Sequence, residues 1–312
     1  FSLGDYLGRM EPVAGEALPP TQSTIADSTT GETPDAQSIA VGAPNETSGN
    51  NEKAVTEIHT IDVGQGDAAL IRQGEHWCLI DAGTKESAQS LVDYLNAVGV
   101  RKLDCVIMTH AHADHIGGMP AVLRAFEVER FVLPNFALSE TPTTKIFQQT
   151  LLALKTQKNC KVETATSGAE IVLGEGTLTV IGAGIKTDGQ NNTSICTRFV
   201  APGVTYLNTG DAEQEAERAL LASGVPLKAD IFKAGHHGSD TSNTAAFLTA
   251  LAPRYVAISC GAGNDYGHPH KEVLERLATV GAEVLRTDLA GSIIFSVPQS
   301  GIALTPMPSP AT

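Results

Sequence analysis

The sequence predicts an α/β fold, on three observations. Short apolar, β-branched runs that end in glycine or polar residues alternate with segments of helical spacing. The strand, loop, helix layout recurs along the chain, as a sheet covered by helices requires. Seven of the nine histidines fall in three loops that follow strand-like runs, and strand-end loops of one sheet face converge.

In chain order, residues 1–54 stand apart. Phe1 to Lys53 is rich in Thr, Ser, Gly, Pro and Asn, with eight acidic residues against Arg9 and Lys53 and no sustained periodicity, which reads as a flexible leader. The folded domain is expected over 55–300, with a tail over 301–312. The chain starts at Phe1 rather than Met, and such leaders often lie between an export signal or lipid anchor and a domain. We therefore expect an extracytoplasmic location, secreted or surface-tethered, with a cytoplasmic one left open.

Val55 to Arg72 reads as strand, turn, strand around Gly64-Gln65-Gly66-Asp67, whose two glycines permit close backbone approach. Leu79-Ile80-Asp81-Ala82-Gly83 is a strand ending in an acid, and Ala88, Leu91, Val92 and Leu95 follow at helical spacing. The apolar run Cys105-Val106-Ile107-Met108 then leads into Thr109-His110-Ala111-His112-Ala113-Asp114-His115-Ile116-Gly117-Gly118. Three histidines and an aspartate within six residues suit Zn²⁺, Mn²⁺ or Fe²⁺. His110 and His112 could clasp one ion while Asp114 and His115 reach a second, all from a strand-to-helix loop.

Further along, 131–133 reads as a strand, 144–155 as a helix and 160–180 as short strands with glycine turns. Asn192-Thr193-Ser194 precedes a strand-like run at 195–200. Val204 to Asp211 is a strand ending in an acid that could bridge two metals or cap the helix at 212–222. Ile231-Phe232-Lys233-Ala234-Gly235-His236-His237-Gly238-Ser239 and Gly267-His268-Pro269-His270 repeat the strand-end histidine pattern. His59 and His76 lie elsewhere and read as structural. The five cysteines are widely spaced, without a C-x-x-C pair, and read as small buried apolar residues. No run approaches a membrane span. The net charge of −14, with −6 in the leader, rules out a broad basic footprint for nucleic acid.

These motifs resemble a known family. H-x-H-x-D-H with a preceding strand acid, a later Thr209-Gly210-Asp211 and a closing histidine loop resemble the metallo-β-lactamase-fold hydrolases. Asp62-Val63-Gly64-Gln65-Gly66-Asp67-Ala68, Asn192-Thr193-Ser194, Gly235-His236-His237-Gly238-Ser239 and Tyr266-Gly267-His268-Pro269-His270 resemble, more narrowly, the extracytoplasmic metallo-β-lactamase domain of ComEC-type DNA-uptake proteins. Related free-standing hydrolases, including phosphorylcholine esterases, share the set. The resemblance covers about residues 57 to 297.

It implies a four-layer αββα sandwich with two divalent ions, Zn²⁺ or Mn²⁺, at one edge of the sheets. His110 and His112 would hold the first ion, Asp114 and His115 the second, Asp211 would bridge, and His236 or His237 would complete the second site. Read from its own place at a strand end, Asp81 could orient a ligand histidine from behind or simply cap its loop. Many members place another histidine where this chain has Asn192, so the ion at His110 and His112 is expected to be labile, water-completed or absent from isolated protein. The implied reaction is metal-assisted hydrolysis at phosphorus, with Asp114 taking a proton from water. His268, Lys233, Ser239 and Asn192 would hold phosphoryl oxygens, and Ser194, Asp67 and Gln65 would line the pocket. The expected function is a phosphodiesterase, nuclease-like, acting on DNA or a cell-wall phosphodiester. Alternatives are a phosphorylcholine esterase, a lactonase, thioesterase or β-lactamase-like hydrolase on the same fold, and, in a different class, a non-catalytic surface module.

Overall fold

A computed structural model describes residues 55–139, 141–187, 189–298 and 301–306. The expected leader at 1–54 lies outside the described residues. The chain opens as an antiparallel meander of β1 (Thr56–Thr60), β2 (Ala69–Gln73) and β3 (His76–Ile80). Parallel neighbours need a crossover. Helix α1 (Ala88–Ala97) and the short β4 (Lys102–Leu103) supply one, leading to β5 (Cys105–Ile107), parallel to β3. Helices α2 (Ala113–Ile116) and α3 (Met119–Ala125) continue past β6 (Glu127–Val128), which pairs with β4, to β7 (Arg130–Leu133). Helix α4 (Lys145–Leu154), capped by the Thr144 hydroxyl on the Phe147 N–H, carries the chain to β8 (Lys161–Thr164).

A second sheet begins with the antiparallel strands β9 (Glu170–Leu173), β10 (Gly176–Ala183), β11 (Ile195–Ala201) and β12 (Val204–Asn208). It ends in parallel strands β13 (Ile231–Lys233), β14 (Tyr255–Ile258) and β15 (Glu283–Arg286), linked through α5 (Gln214–Ser223), α6 (Ala245–Leu251) and α7 (Lys271–Thr279). After α8 (Thr287–Ala290) the chain returns to the first sheet with β16 (Ile293–Val297), paired to β1, and β17 (Ala303–Pro306). The strand orders are β17-β16-β1-β2-β3-β5-β7-β8 and β15-β14-β13-β12-β11-β10-β9. The tail expected at 301–312 is thereby corrected: 303–306 pair with β16 as an edge strand, because the return to β1 leaves one side of β16 open.

The alternation of side chains explains the layers. Ile58, Ile71, Cys78, Ile80 and Ile107 of the first sheet meet Leu178, Val180, Phe199, Tyr206 and Ile231 of the second in a dry central core. Residues of opposite parity on the second sheet, Leu207, Phe232 and Val256, pack under Leu220, Phe247, Leu251 and Leu277 of the helices. On the first sheet, His59 points away from the central core and its Nδ1 lies 2.8 Å from the Tyr94 hydroxyl of α1. The order is therefore helix, sheet, sheet, helix, the expected αββα sandwich. All five cysteines are free thiols, four of them buried.

Candidate metal centre

The strands that carry the expected site residues end at one edge of the sandwich. Asp81 follows β3, His110 to His115 follow β5, Asp211 follows β12, His236 and His237 follow β13, and His268 follows β14. Hydrogen bonds lock these loops together, Asp67 N–H to Asp114 O (3.0 Å) within the first sheet, and Ile195 N–H to Thr109 O (3.0 Å) and the Ser259 hydroxyl to Gly66 O (2.7 Å) between the two sheets. Gly66 is required by this approach, since a Cβ there would stand 2.4 Å from the Asp114 carbonyl oxygen. The ligand stretch is not entirely loop, as the sequence suggested: Asp114 and His115 lie in the one-turn helix α2, preceded by His112 in extended backbone.

The structure brings Asp67, His115, Asp211 and His237 together with one ligand atom from each within 4.8 Å of the others. The protonation pattern of the rings follows from their partners. His115 Nδ1 donates to Asp81 Oδ2 (2.8 Å) and His237 Nδ1 donates to the Ser259 carbonyl (3.0 Å), so each ring turns its Nε2 lone pair inward. The Thr109 hydroxyl donates to Asp81 Oδ2 (2.6 Å) and its oxygen lies 3.2 Å from His110 Nδ1, which leaves the His110 Nε2 lone pair inward as well. These lone pairs face oxygen: His115 Nε2 is 3.1 Å and His237 Nε2 3.6 Å from Asp211 Oδ2, and His237 Nε2 is 3.1 Å from Asp114 Oδ2. His115 Nε2 and Asp211 Oδ1 are buried with no hydrogen-bond partner. Inward lone pairs on nitrogen and carboxylate oxygen repel unless a cation sits among them, and this donor set of imidazole and carboxylate fits a divalent ion.

The electrostatics agree. Burial pushes the carboxyls of Asp67, Asp114 and Asp211 upward, yet all three are held below the ordinary aspartate range: Asp67, at about 2, by Lys233, Asp114 by the adjacent His237, and Asp211 by His115. Burial alone would lower His115 and His237, but Asp211 raises both, His237 to about 10. Surroundings that draw a proton to these rings would draw a dication more strongly.

His110 Nε2 and His112 Nδ1 lie 3.0 Å apart, and His110 Nε2 is 3.9 Å from Asp211 Oδ2. Asp211 thus touches both halves of the cluster. Of the histidine pair, His237 points into the half containing Asp114 and His115. His236 Nε2 is 3.7 Å from Asp211 Oδ2, while its Nδ1 contacts the Thr241 hydroxyl at 3.1 Å. His236, His237 and Asp81 all adopt left-handed backbone (φ 50°, 54° and 61°), a local cost of about 1 kcal/mol or more each that the surrounding packing must offset.

Several expected substrate contacts are instead used inside the protein. Lys233 is 1% exposed and its ammonium is bound to Asp67 and to the Gly210 carbonyl (3.3 Å), because a buried cation needs a buried anion. Asp67 correspondingly belongs to the buried cluster rather than to the pocket lining. Asn192 is buried, accepting from the Glu213 N–H (2.8 Å) and donating to the Glu213 carboxylate (3.4 Å). The Ser194 hydroxyl receives the Asp211 N–H (3.1 Å), and the buried Ser239 hydroxyl pairs with Thr241 (3.1 Å). Gln65 is half-buried, its Nε2 3.4 Å from His268 Nδ1 and its Oε1 receiving the Gly261 N–H (3.0 Å). His59 and His76 are structural, the latter paired to Asp104 at 2.8 Å. Sequence reasoning gave no role to Thr109, although its place directly before H-x-H was a signal, nor to Ser259, whose contribution is a backbone carbonyl that no motif marks.

A four-layer sandwich with histidines and aspartates converging at one sheet edge defines a metal-dependent hydrolase of the metallo-β-lactamase class. The metallo-beta-lactamase superfamily profile matches residues 61–262, and the chain belongs to that superfamily. Within it the chain is similar to bacterial competence proteins. It is 31% identical to ComE operon protein 3 of Bacillus subtilis over 260 residues, 77% of this chain and 33% of that protein. It is 32% identical to competence protein ComA of Neisseria gonorrhoeae over 255 residues, 81% of this chain and 33% of that protein. The chain thus spans about a third of the length of these relatives. The metallo-beta-lactamase fold protein YhfI of Bacillus subtilis superimposes with a TM-score of 0.54 at 15% identity, covering 78% of this chain and all of that one, a likeness of fold alone. Among the described residues no helix is long and apolar enough to cross a membrane.

Proposed function

We propose that the chain is a two-metal phosphodiesterase. The observation that carries this reading is the position of Asp211, whose Oδ2 lies within 3.9 Å of His110, His115, His236 and His237, so that one carboxylate joins two ligand groups. His110, His112 and Asp211 would hold one ion, and Asp114, His115, Asp211 and His237 the other. Bound there, divalent ions would supply electrophilic charge for the phosphoryl oxygens and acidify water, which suits in-line displacement at phosphorus. The ion at His110, His112 and Asp211, with three protein ligands against four, would be the more labile.

The chain's own groups do the rest. Asp114, with its side chain 36% exposed, is the carboxylate of the cluster that reaches the opening, and it takes the proton from attacking water. Asp81 holds His115 directly and His110 through Thr109. Burial, with His237 and His236 nearby, lowers His268 to about 4, so it is neutral near pH 7. With the Gln65 amide at its Nδ1, it presents Nε2–H to a phosphoryl oxygen. Similarity to competence proteins favours DNA as the phosphodiester, and together with the leader's composition it favours a location outside the cytoplasm.

The test is to incubate metal-loaded chain with bis-nitrophenyl phosphate, a phosphorylcholine ester, single- and double-stranded DNA, a lactone, a thioester and a β-lactam, using Zn²⁺ or Mn²⁺. Phosphodiester turnover that disappears in His112→Ala supports the reading. Turnover confined to the lactone, thioester or β-lactam overturns it.

A further inference from the structure

The candidate metal centre straddles a seam between the sheets. His110, His112, Asp114 and His115 come from the first sheet, and Asp211, His236 and His237 from the second. An ion pair crosses that seam, from Asp67 in the turn between β1 and β2 to Lys233 at the end of β13, and both partners are buried. Asp67 Oδ2 lies 3.9 Å from His115 Nδ1, and Asp67 Oδ1 lies 3.5 Å from His237 Nδ1. Those nitrogens carry the ring protons, which go to Asp81 and to the Ser259 carbonyl, so Asp67 faces the N–H side of both rings and not their lone pairs. It therefore stands behind one ligand histidine from each sheet. Its backbone is tied in as well: the N–H donates to Asp114 O (3.0 Å) and the carbonyl accepts from the Gly83 N–H (2.8 Å). Lys233 reaches the carbonyl of Gly210, one residue before Asp211, at 3.3 Å, and the same oxygen receives the His236 N–H (3.1 Å). Burial disfavours the ammonium, yet Asp67 and then Asp211 raise it above the ordinary lysine value.

A buried ion pair adds little net stability over apolar residues of similar volume, so stability alone gives no reason for one at this seam. We propose that Asp67 and Lys233 are positioning residues, an internal tie that holds the two ligand halves in register before any ion binds. Asp67 backs His115 and His237, while Lys233 fixes the turn that carries Asp211. A carboxylate behind a ligand imidazole orients the ring and raises the basicity of the nitrogen that binds metal. A site assembled in advance also spares the ion the cost of ordering two sheet edges. The inference rests on the ligand assignments of the two-ion reading and is independent of the substrate.

The test is Lys233→Met combined with Asp67→Leu in the full chain. This variant removes one charge of each sign, so the net charge of the site is unchanged and a change in affinity reports geometry. Its melting temperature should stay near that of wild type. Competition for Zn²⁺ against a chromophoric chelator should nevertheless show about 10- to 100-fold weaker binding, and the visible absorption of bound Co²⁺ should change as the ligand geometry loosens. Asp67→Asn keeps the shape and removes the carboxylate; it should weaken Zn²⁺ in the same direction, and it decides the matter if the double variant does not fold. Either variant, folded and binding Zn²⁺ as tightly as wild type with an unchanged Co²⁺ spectrum, would overturn the tie. A wild-type chain that takes up no ion would sink the ligand assignments and the tie with them, an outcome distinct from equal binding by wild type and variant.

Discussion

Asp81 supports both halves of the metal cluster, and replacing it with Asn tests that arrangement with little change in shape. Asn tolerates the left-handed backbone at this position (φ 61°), whereas Ala would add strain and remove every contact. In the native protein Asp81 accepts three hydrogen bonds, from the Thr109 N–H (2.8 Å), the Thr109 hydroxyl (2.6 Å) and His115 Nδ1 (2.8 Å). Asn can keep the first through its carbonyl oxygen, which turns its NH₂ toward His115 Nδ1. Two donors then face each other, and the ring relieves the clash by moving its proton to Nε2, where a metal must bind. Restoring the ligand tautomer leaves a buried donor without an acceptor, a cost of about 1–3 kcal/mol. That corresponds to roughly 5- to 150-fold in affinity and agrees with the 10–100-fold usual for partners that orient a ligand histidine. Competition for Zn²⁺ or Mn²⁺ against a chromophoric chelator, on metal-stripped protein, measures it. An Asp81→Asn protein that folds and binds metal as tightly as wild type would refute the tautomer argument.

Three further outcomes follow from the same geometry. Lys233→Met leaves the buried Asp67 carboxylate uncompensated and should cost about 3–5 kcal/mol in urea unfolding; adding Asp67→Leu should recover most of it, and a single variant as stable as wild type would show the pair to be dispensable. Gly117→Ala places a Cβ 2.2 Å from the backbone nitrogen of Lys85 and should lose about 3 kcal/mol, the upper end of overpacking costs, with a matching fall in melting temperature. At Glu57, the imidazole of His59 (3.6 Å) and then the Arg72 guanidinium (3.2 Å) hold the carboxyl below its ordinary value of 4.5. A lowered folded-state value gives stability that is fully present above 4.5 and is lost as pH falls through the folded value below it, so Glu57→Gln should flatten the fall of melting temperature below pH 4.5.

Much of the fold was legible because local pattern and burial coincide. The strands expected at 105–108, 195–200 and 204–211 are observed at 105–107, 195–201 and 204–208, and the helical spacing over 88–95 and 144–155 becomes helices at 88–97 and 145–154. Elements without a site motif were missed: α6, whose Ala-rich sequence carries little amphipathic contrast, β15, and β16 with β17, whose pairing depends on the chain returning to β1 across the molecule. The site divides the same way. His110, His112, Asp114 and His115 announce themselves by spacing, since residues five positions apart at most cannot separate far. Asn192, Ser194, Ser239 and Lys233 matched motifs too, but a motif names a residue without saying which way its polar atoms point.

The sequence by itself therefore determined the class of fold and the stretches that supply a candidate metal site, because hydrophobic period and ligand spacing are local properties of the chain. Only the tertiary structure brought His237 together with Asp67, His115 and Asp211, set Asp211 within 3.9 Å of His110, His115, His236 and His237, and gave Lys233 to Asp67. Each of those outcomes joins atoms from different strand ends. Which lone pair finds a cation, and which charge must be paired in the interior, depends on distances of 3 to 4 Å that exist only once the two sheets have packed face to face.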